Sequence, residues 1–396
     1  MNKIDQIRTD IMDSLNLTLE MSEETVFEQI DENIRICSKK YGIDVKSAEK
    51  LRMEIYRDIR QLGILQELID DPSVTEIMVN GTDAIFIEKQ GKLQKTELCF
   101  ESKDSLKQII WQITARCNRV VNEASPIVDA RLSDGARVNV VLDPVALNGP
   151  ILTIRRFPRD PITMDDLIRS GSISEECADF LKKSVRAGLN ILVSGGTGSG
   201  KTTMLNVLSN FIPEDERVIT IEDSAELQLR GIRNLVSMET RNANVDGCKE
   251  ITIRDLIKTS LRMRPDRIIV GEVRSKEAID MLQSVNVGHT AMTTVHANSV
   301  ADVVSRLETM VLMGMEMPIG AIRGQIASGF DLMIHLARWQ DGSRKIMEIA
   351  EPTGIKDGNI VMNRIYELAA FSADKDPKER GKLVKVGEMS NVQKFR

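Results

Sequence analysis

The spacing of apolar residues changes twice along the chain. In the first stretch they recur three and four positions apart. Val26, Ile30 and Ile34 do so within Glu23–Cys37, and Leu51, Ile55, Ile59 and Leu62 within Val45–Leu65. That period predicts charged amphipathic helices packed as a small bundle. From Gly63 a short helix gives way to alternation at Thr75–Asn80 and Ala84–Lys89, with Asn80-Gly81 and Gln90-Gly91 as hairpin turns. Leu106, Ile109, Ile110 and Ile113 mark one side of a helix over Ser105–Asn118. After the turn Ser133-Asp134-Gly135, strands are expected at Ala136–Leu142 and Pro150–Phe157.

Beyond Pro158 and Pro161 the texture changes again, to continuous apolar runs alternating with helical periods. Strands are expected at Leu189–Ser194, Arg217–Glu222, Arg267–Glu272 and His289–Val295. Helices are expected at Lys201–Asn210, Ile253–Met263, Ser275–Val285 and Ser299–Val311. Strand–helix alternation of this kind builds a parallel α/β sheet with its working loops at the carboxyl ends of the strands. The expected organisation is a helical segment over 1–62, an α+β domain over 63–157, a linker at 158–161 and an α/β domain over 162–396.

Composition narrows the class. Charged residues make up 28% of the 396 and the net charge is −6. An acidic chain with two Trp and three Tyr lacks the basic stripe and interleaved aromatics of a nucleic-acid translocase, so no nucleic acid is expected as a partner. The cysteines Cys37, Cys99, Cys117, Cys177 and Cys248 are scattered, with no CxxC pair. That pattern fits a reducing cytosol better than a disulfide framework. MNKIDQIRTD has no apolar core of a signal peptide, and no apolar run approaches the ~18 residues of a membrane span. The expectation is a cytoplasmic protein that works at a membrane without anchoring itself there.

The chemistry starts at Gly195-Gly196-Thr197-Gly198-Ser199-Gly200-Lys201-Thr202, followed by Thr203, a match to GxxxxGK[ST] between a buried-type strand and a helix. Glycines let backbone N–H groups turn inward around phosphate oxygens, and the helix N-terminus adds partial positive charge. Lys201 would bridge the β- and γ-phosphates of ATP and Thr202 would ligand Mg²⁺. Hydrolysis also needs carboxylates. Two acidic sites end strands: Glu222-Asp223 after Val218–Ile221, and Glu272 after Ile268–Gly271. A solvated acid at a strand end is the plain alternative for either. Two of the three histidines, His289 and His296, bracket the strand Thr290–Val295. Zinc is disfavoured because no soft ligand clusters near them. They are candidates for sensing the γ-phosphate, the alternative being ordinary packed histidines.

GGTGSGKTT, TIEDSAELQL, LRMRPDRIIVGEVR and VGHTAMTTVHAN, in this order, resemble the Walker A, Asp, Walker B and His boxes of the secretion-superfamily ATPases. Those are the motors of type II and type IV secretion and of type IV pili. Upstream, DDPSVTEIMVNG, SPIVDARLSDGARVNVV and GPILTIRRF, and later METRNANVDGCKEITIRDLIKTSLRMRPDR, look like the CpaF-like branch that serves Flp/Tad pilus assembly. The resemblance covers about residues 65–350 and is weak in the first 60 and last 45.

It implies a RecA-like P-loop ATPase domain behind a small α+β, PAS-like domain, assembled as a homohexamer. The ring would sit at the cytoplasmic face of the inner membrane and drive an integral-membrane platform protein. It further implies that Glu222 orients the lytic water, that Glu272 supports the Mg²⁺ water shell, and that His289 and His296 couple nucleotide state to the domain interface. Arginines of the preceding domain would reach the γ-phosphate, Arg131 and Arg137 first, then Arg155 and Arg156; a surface salt bridge is the alternative for each. Arg241 and Arg262 lie in family-like segments without an assigned role.

The tetracysteine insertion of many type II motors is absent. The Asp box lacks the proline that many relatives carry after its aspartate, and Ile349–Leu368 is a poor match. Alternatives are a type IV secretion ATPase for DNA or protein transfer, a nucleic-acid translocase, and an inactive ATP-binding scaffold.

Overall fold

The computed structural model describes residues 3–15, 22–89, 91–117, 119–132, 134–156, 161–241, 249–339, 342–369 and 381–391. Outside them lie Gln90, Asn118, Ser133, Phe157, residues 158–160 of the expected linker, Cys248 and residues 242–248 of the family-like METRNANVDGCKE segment. The chain divides into two compact units, Met1–Arg159 and Asp160–Arg396.

The first unit opens with three helices, α1 (Lys3–Ser14), α2 (Glu23–Tyr41) and α3 (Val45–Arg60). Ser22 and Asp44 cap α2 and α3 through their side chains, and Gly42 ends α2 in the left-handed conformation. Ile7, Ile11, Val26, Ile30, Ile34, Leu51 and Ile55 form their shared core, on the faces that the period picks out. A short helix α4 (Gln66–Asp70) leads to β1 (Val74–Asn80), β2 (Ile85–Lys89), β3 (Lys92–Lys95), α5 (Lys103–Arg116), β4 (Ile127–Arg131), β5 (Arg137–Val141) and β6 (Ile151–Arg155). The strands form one antiparallel sheet, order β3-β2-β1-β6-β5-β4.

Leu106, Ile110 and Ile113 of α5 share a core with Ile77, Val79, Val138, Val140, Leu152 and Ile154. Polar ties join bundle to sheet domain. Arg8 pairs with Asp58 at 2.7 Å and Glu101 at 2.5 Å, and Gln112 donates to the Asp58 carbonyl at 3.1 Å.

The second unit runs α6 (Met164–Arg169), α7 (Glu175–Arg186), β7 (Ile191–Gly195), α8 (Lys201–Ser209), β8 (Arg217–Glu222), β9 (Asn234–Glu239), α9 (Ile253–Ser260), β10 (Arg267–Val273), α10 (Ala278–Asn286), β11 (Thr290–Val295), α11 (Val300–Gly314) and α12 (Ile319–Gly329). It ends with β12 (Leu332–Arg338), β13 (Arg344–Lys356), β14 (Asn359–Leu368) and β15 (Leu383–Lys385). The sheet order is β15-β14-β13-β12-β7-β11-β10-β8-β9. β12 through β9 are parallel, and β13, β14 and β15 add on antiparallel.

The parallel strands read as unbroken apolar runs because both sheet faces are covered. Ile191 and Val193 enter a core with α7 and α8, while Leu192 between them enters one with α10, α11 and α12. Among the described residues no helix is long and apolar enough to cross a membrane.

Candidate functional site

β7 is buried throughout and ends at Gly195, where a Cβ would stand 2.4 Å from the Leu336 carbonyl oxygen and 2.4 Å from Ser199 Oγ. No side chain fits there, so the backbone can turn out of the strand only as glycine. Gly198 (φ +71°) and Gly200 (φ +94°) take left-handed conformations that favour glycine. Gly200 precedes α8 with no side-chain cap on its first N–H groups, which leaves a helix N-terminus suited to an anion.

Three donors converge on the Gly196 carbonyl oxygen: Ser199 Oγ at 2.9 Å, Lys201 Nζ at 3.0 Å and the Ser199 N–H at 3.4 Å. These are the groups a phosphate oxygen would recruit, so Gly195–Thr203 fits a nucleotide polyphosphate. Lys201 is only 7% exposed. Burial pulls its pKa down and Arg274 adds to that, while Glu272 and Glu226 oppose it.

The acids come from neighbouring strand ends. Glu272 is the penultimate residue of β10, and Thr294 Oγ1 of adjacent β11 donates to the Gly271 carbonyl at 2.7 Å. Glu272 Oε2 accepts from Arg274 Nη2 at 2.7 Å, and Oε1 lies 3.0 Å from His296 Nε2, an ion-pair distance without hydrogen-bond alignment. The His296 ring nitrogens stand 3.3 and 3.4 Å from Lys201 Nζ. Arg274, Glu272, His296 and Lys201 thus form one continuous polar line into the phosphate loop. Burial lowers the His296 pKa despite Glu272, with Lys201, Arg274 and Arg306 acting the same way as burial. A neutral imidazole beside the ammonium acts as acceptor.

Glu222 is placed differently. It is 3% exposed, and its Oε1 accepts the backbone N–H groups of Glu226 (2.8 Å) and Leu227 (3.0 Å). It therefore shapes the loop after β8. The acid on that loop whose charge reaches both Lys201 and Arg274 is Glu226.

Residues 58–375 match the family described as Type II/IV secretion system protein. The chain belongs to that family. It is a secretion ATPase of RecA-like P-loop fold.

A putative conjugal transfer protein of Mycobacterium tuberculosis is 34% identical over 316 residues, covering 78% of this chain and 88% of the relative. The type IV secretion system protein PtlH of Bordetella pertussis is 30% identical over 315 residues, covering 73% and 93%. In fold, this secretion ATPase is similar to the pilus retraction motor PilT solved with bound ADP. The TM-score is 0.55 at 21% identity, covering 74% of this chain and 83% of that one.

The remaining candidates of this secretion ATPase fall in three places. His289 precedes β11 and His296 follows it, so the strand holds them on the order of 20 Å apart, at opposite ends of the sheet. The expectation that both sense one phosphate fails on that geometry, and only His296 reaches Lys201.

Arg131 and Arg137 lie in the first unit. They are cross-strand partners, and Arg137 is in turn partnered by Arg155, which faces Glu76. Three cations and one carboxylate, Glu76, thus occupy adjacent positions of one cross-strand row. Arg156 donates to the Asp71 and Val74 carbonyls at 2.6 and 3.1 Å, which is a structural task. Arg241 bridges the backbone of Ile251, and Arg262 is exposed after α9.

Arg274, Glu226 and Arg306, whose Nε donates to the His296 carbonyl at 3.3 Å, are the site residues that the sequence reading passed over. Arg274 stood in view two positions after Glu272.

Proposed function

We propose that this secretion ATPase is an ATP·Mg²⁺-hydrolysing ring motor, and the polar line from Arg274 through Glu272 and His296 to Lys201 is the observation that carries the reading. An arriving phosphate competes with the Gly196 carbonyl for Ser199 and Lys201. As Lys201 shifts toward the phosphate, its contact with His296 changes, and that shift is felt at Glu272 and Arg274. Thr202 and Glu272 would hold Mg²⁺ and its water shell, and the ion supplies charge neutralisation to the β- and γ-phosphates. With Glu222 held on backbone N–H groups, Glu226 is the better candidate to orient the attacking water. The row Arg131–Arg137–Arg155 supplies cations for γ-phosphate charge, as an arginine finger does.

The wider reading is a homohexamer on the cytoplasmic face of the inner membrane, driving an integral-membrane platform protein in Flp/Tad-type pilus assembly. The upstream segments DDPSVTEIMVNG and GPILTIRRF support that branch. A second reading, type IV secretion for conjugal transfer, is favoured by the names of relatives at 30% identity and above.

The enzymatic test is steady-state ATP turnover with nucleotide affinity. Lys201→Ala should abolish binding. Glu226→Gln should retain ATP and lose turnover by about 100-fold. Wild-type turnover in Glu226→Gln would return the lytic role to another acid. Co-purification from native membranes separates the biological readings: a pilus platform protein supports the first, and a conjugation coupling complex the second.

A further inference from the structure

The hairpin of β12 and β13 reaches the phosphate loop from its outer side. β12 lies parallel to β7 with Leu336 opposite Gly195, the last residue before the loop. Ala337 and Arg338 then run on beyond the end of β7, and the chain returns with Arg344 opposite Arg338. Arg344 Nε donates to the Gly198 carbonyl at 2.9 Å. Its Cδ would lie 3.4 Å from a Cβ on Gly200, so the side chain lies along the loop from Gly200 to Gly198. Both glycines are left-handed, and this is where the loop is held by its conformation rather than by side-chain packing.

We propose that Arg344 is a positioning residue for the nucleotide phosphates. It acts by fixing the peptide unit between Gly198 and Ser199. In a trans peptide the carbonyl and the following N–H point in opposite directions. A guanidinium that anchors the Gly198 carbonyl outward therefore fixes the Ser199 N–H on the inner side, where it leans on the Gly196 oxygen at 3.4 Å together with Ser199 Oγ and Lys201 Nζ. The loop meets a phosphate with that donor already aimed, and binding costs less reorganisation.

Arg344 is exposed and its backbone is held by the β12–β13 ladder. Its side-chain bond therefore adds little to fold stability, and its loss should be read in nucleotide affinity. The donors it organises serve ATP and ADP alike, so the effect is uniform binding.

This rests on the reading of Gly195–Thr203 as the ATP site, and the experiment keeps the two apart. Affinity of the full chain for fluorescent ATP and ADP analogues is measured with steady-state ATP turnover, for wild type, Arg344→Ala, Arg344→Lys and Lys201→Ala. Wild type binding ATP and Lys201→Ala failing to bind establishes the site.

On that footing, Arg344→Ala should weaken both nucleotides about fivefold to tenfold. KM should rise by the same factor, with kcat at saturation and the melting temperature unchanged. Arg344→Lys, which keeps a charged donor, should recover most of the loss. Unchanged affinity in Arg344→Ala overturns the inference. So does a fall in kcat with KM intact, a melting temperature that falls with the affinity, or no recovery in Arg344→Lys. A wild type that binds no nucleotide overturns the ATP-site reading instead.

Discussion

His335 is a buried titratable residue beneath the phosphate loop. It is 7% exposed on β12, its Nδ1 lies 3.1 Å from Ser194 Oγ, and the charge of Asp302 acts on it against burial. Burial depresses its pKa. Below about pH 6.5 the unfolded chain takes up a proton that the folded ring refuses. The unfolded state then binds more protons, so stability falls as pH falls through that window. His296 contributes with the same sign, discounted because its side chain is 38% exposed. Urea midpoints measured from pH 7.5 to 5.5 should drop in wild type. His335→Gln should flatten the slope by up to about 1 kcal/mol per pH unit; an unchanged slope would show that the ring does not resist protonation.

Gly195→Ala is a sharper substitution, because the new Cβ meets a backbone oxygen at 2.4 Å that no rotamer can relieve. It should cost about 1–3 kcal/mol of stability together with nucleotide binding, read by thermal melts with and without ADP. Gly195, Lys201 and Glu272 stand out as candidates in the sequence because a linear motif or a strand end picks out their place. Nothing in IEDSAEL tells that Glu222 receives two backbone N–H groups or that the charge of Glu226, four residues later, acts on Lys201.

At the scale of elements, β11 separates the histidines. A six-residue strand puts its flanking residues at opposite ends of the sheet's strands, a consequence of strand rise that the sequence contained and that the pairing of two histidines obscured. His296→Ala should cut turnover by about 10- to 100-fold and His289→Ala should leave the ATP-binding step intact. Equal loss of nucleotide affinity in both would contradict the sheet geometry.

The central strands were readable because burial on both faces makes them continuous apolar runs. The last third was harder. β12 has the same texture but lies beside β7, inserted next to a strand some 140 residues earlier, and only the assembled sheet shows that neighbour. β13 and β14 alternate polar and apolar positions with two register shifts, which blurs period two. Arg344 was invisible for that reason: its partner is a carbonyl, and carbonyls leave no mark in a sequence.

At the scale of the molecule, the hydrophobic clusters keep to their own units. Among the described residues, those of Met1–Arg159 draw on residues before 160 and those of Asp160–Arg396 on residues after it. The sequence changes texture near Pro158 because an antiparallel α+β sheet and a doubly covered parallel sheet demand different apolar periods. Units with separate cores unfold as separate cooperative transitions unless their interface is large and apolar.

Calorimetry should therefore resolve two transitions. ADP at 100 times its Kd stabilises the unit that binds it by about 2.7 kcal/mol. For the second unit, Asp160–Arg396, proposed as the nucleotide-binding one, that corresponds to a rise of roughly 5–10 °C. The transition of the first unit should stay in place if its arginine row serves the γ-phosphate as proposed, because ADP has none. If the proposed arginine finger operates, ATP held by a turnover-deficient Glu226→Gln chain should move both transitions, since the γ-phosphate then adds an anion for that row. If ATP moves one transition alone, the arginine row takes no part in gripping the γ-phosphate, and the coupling between the units must be sought elsewhere.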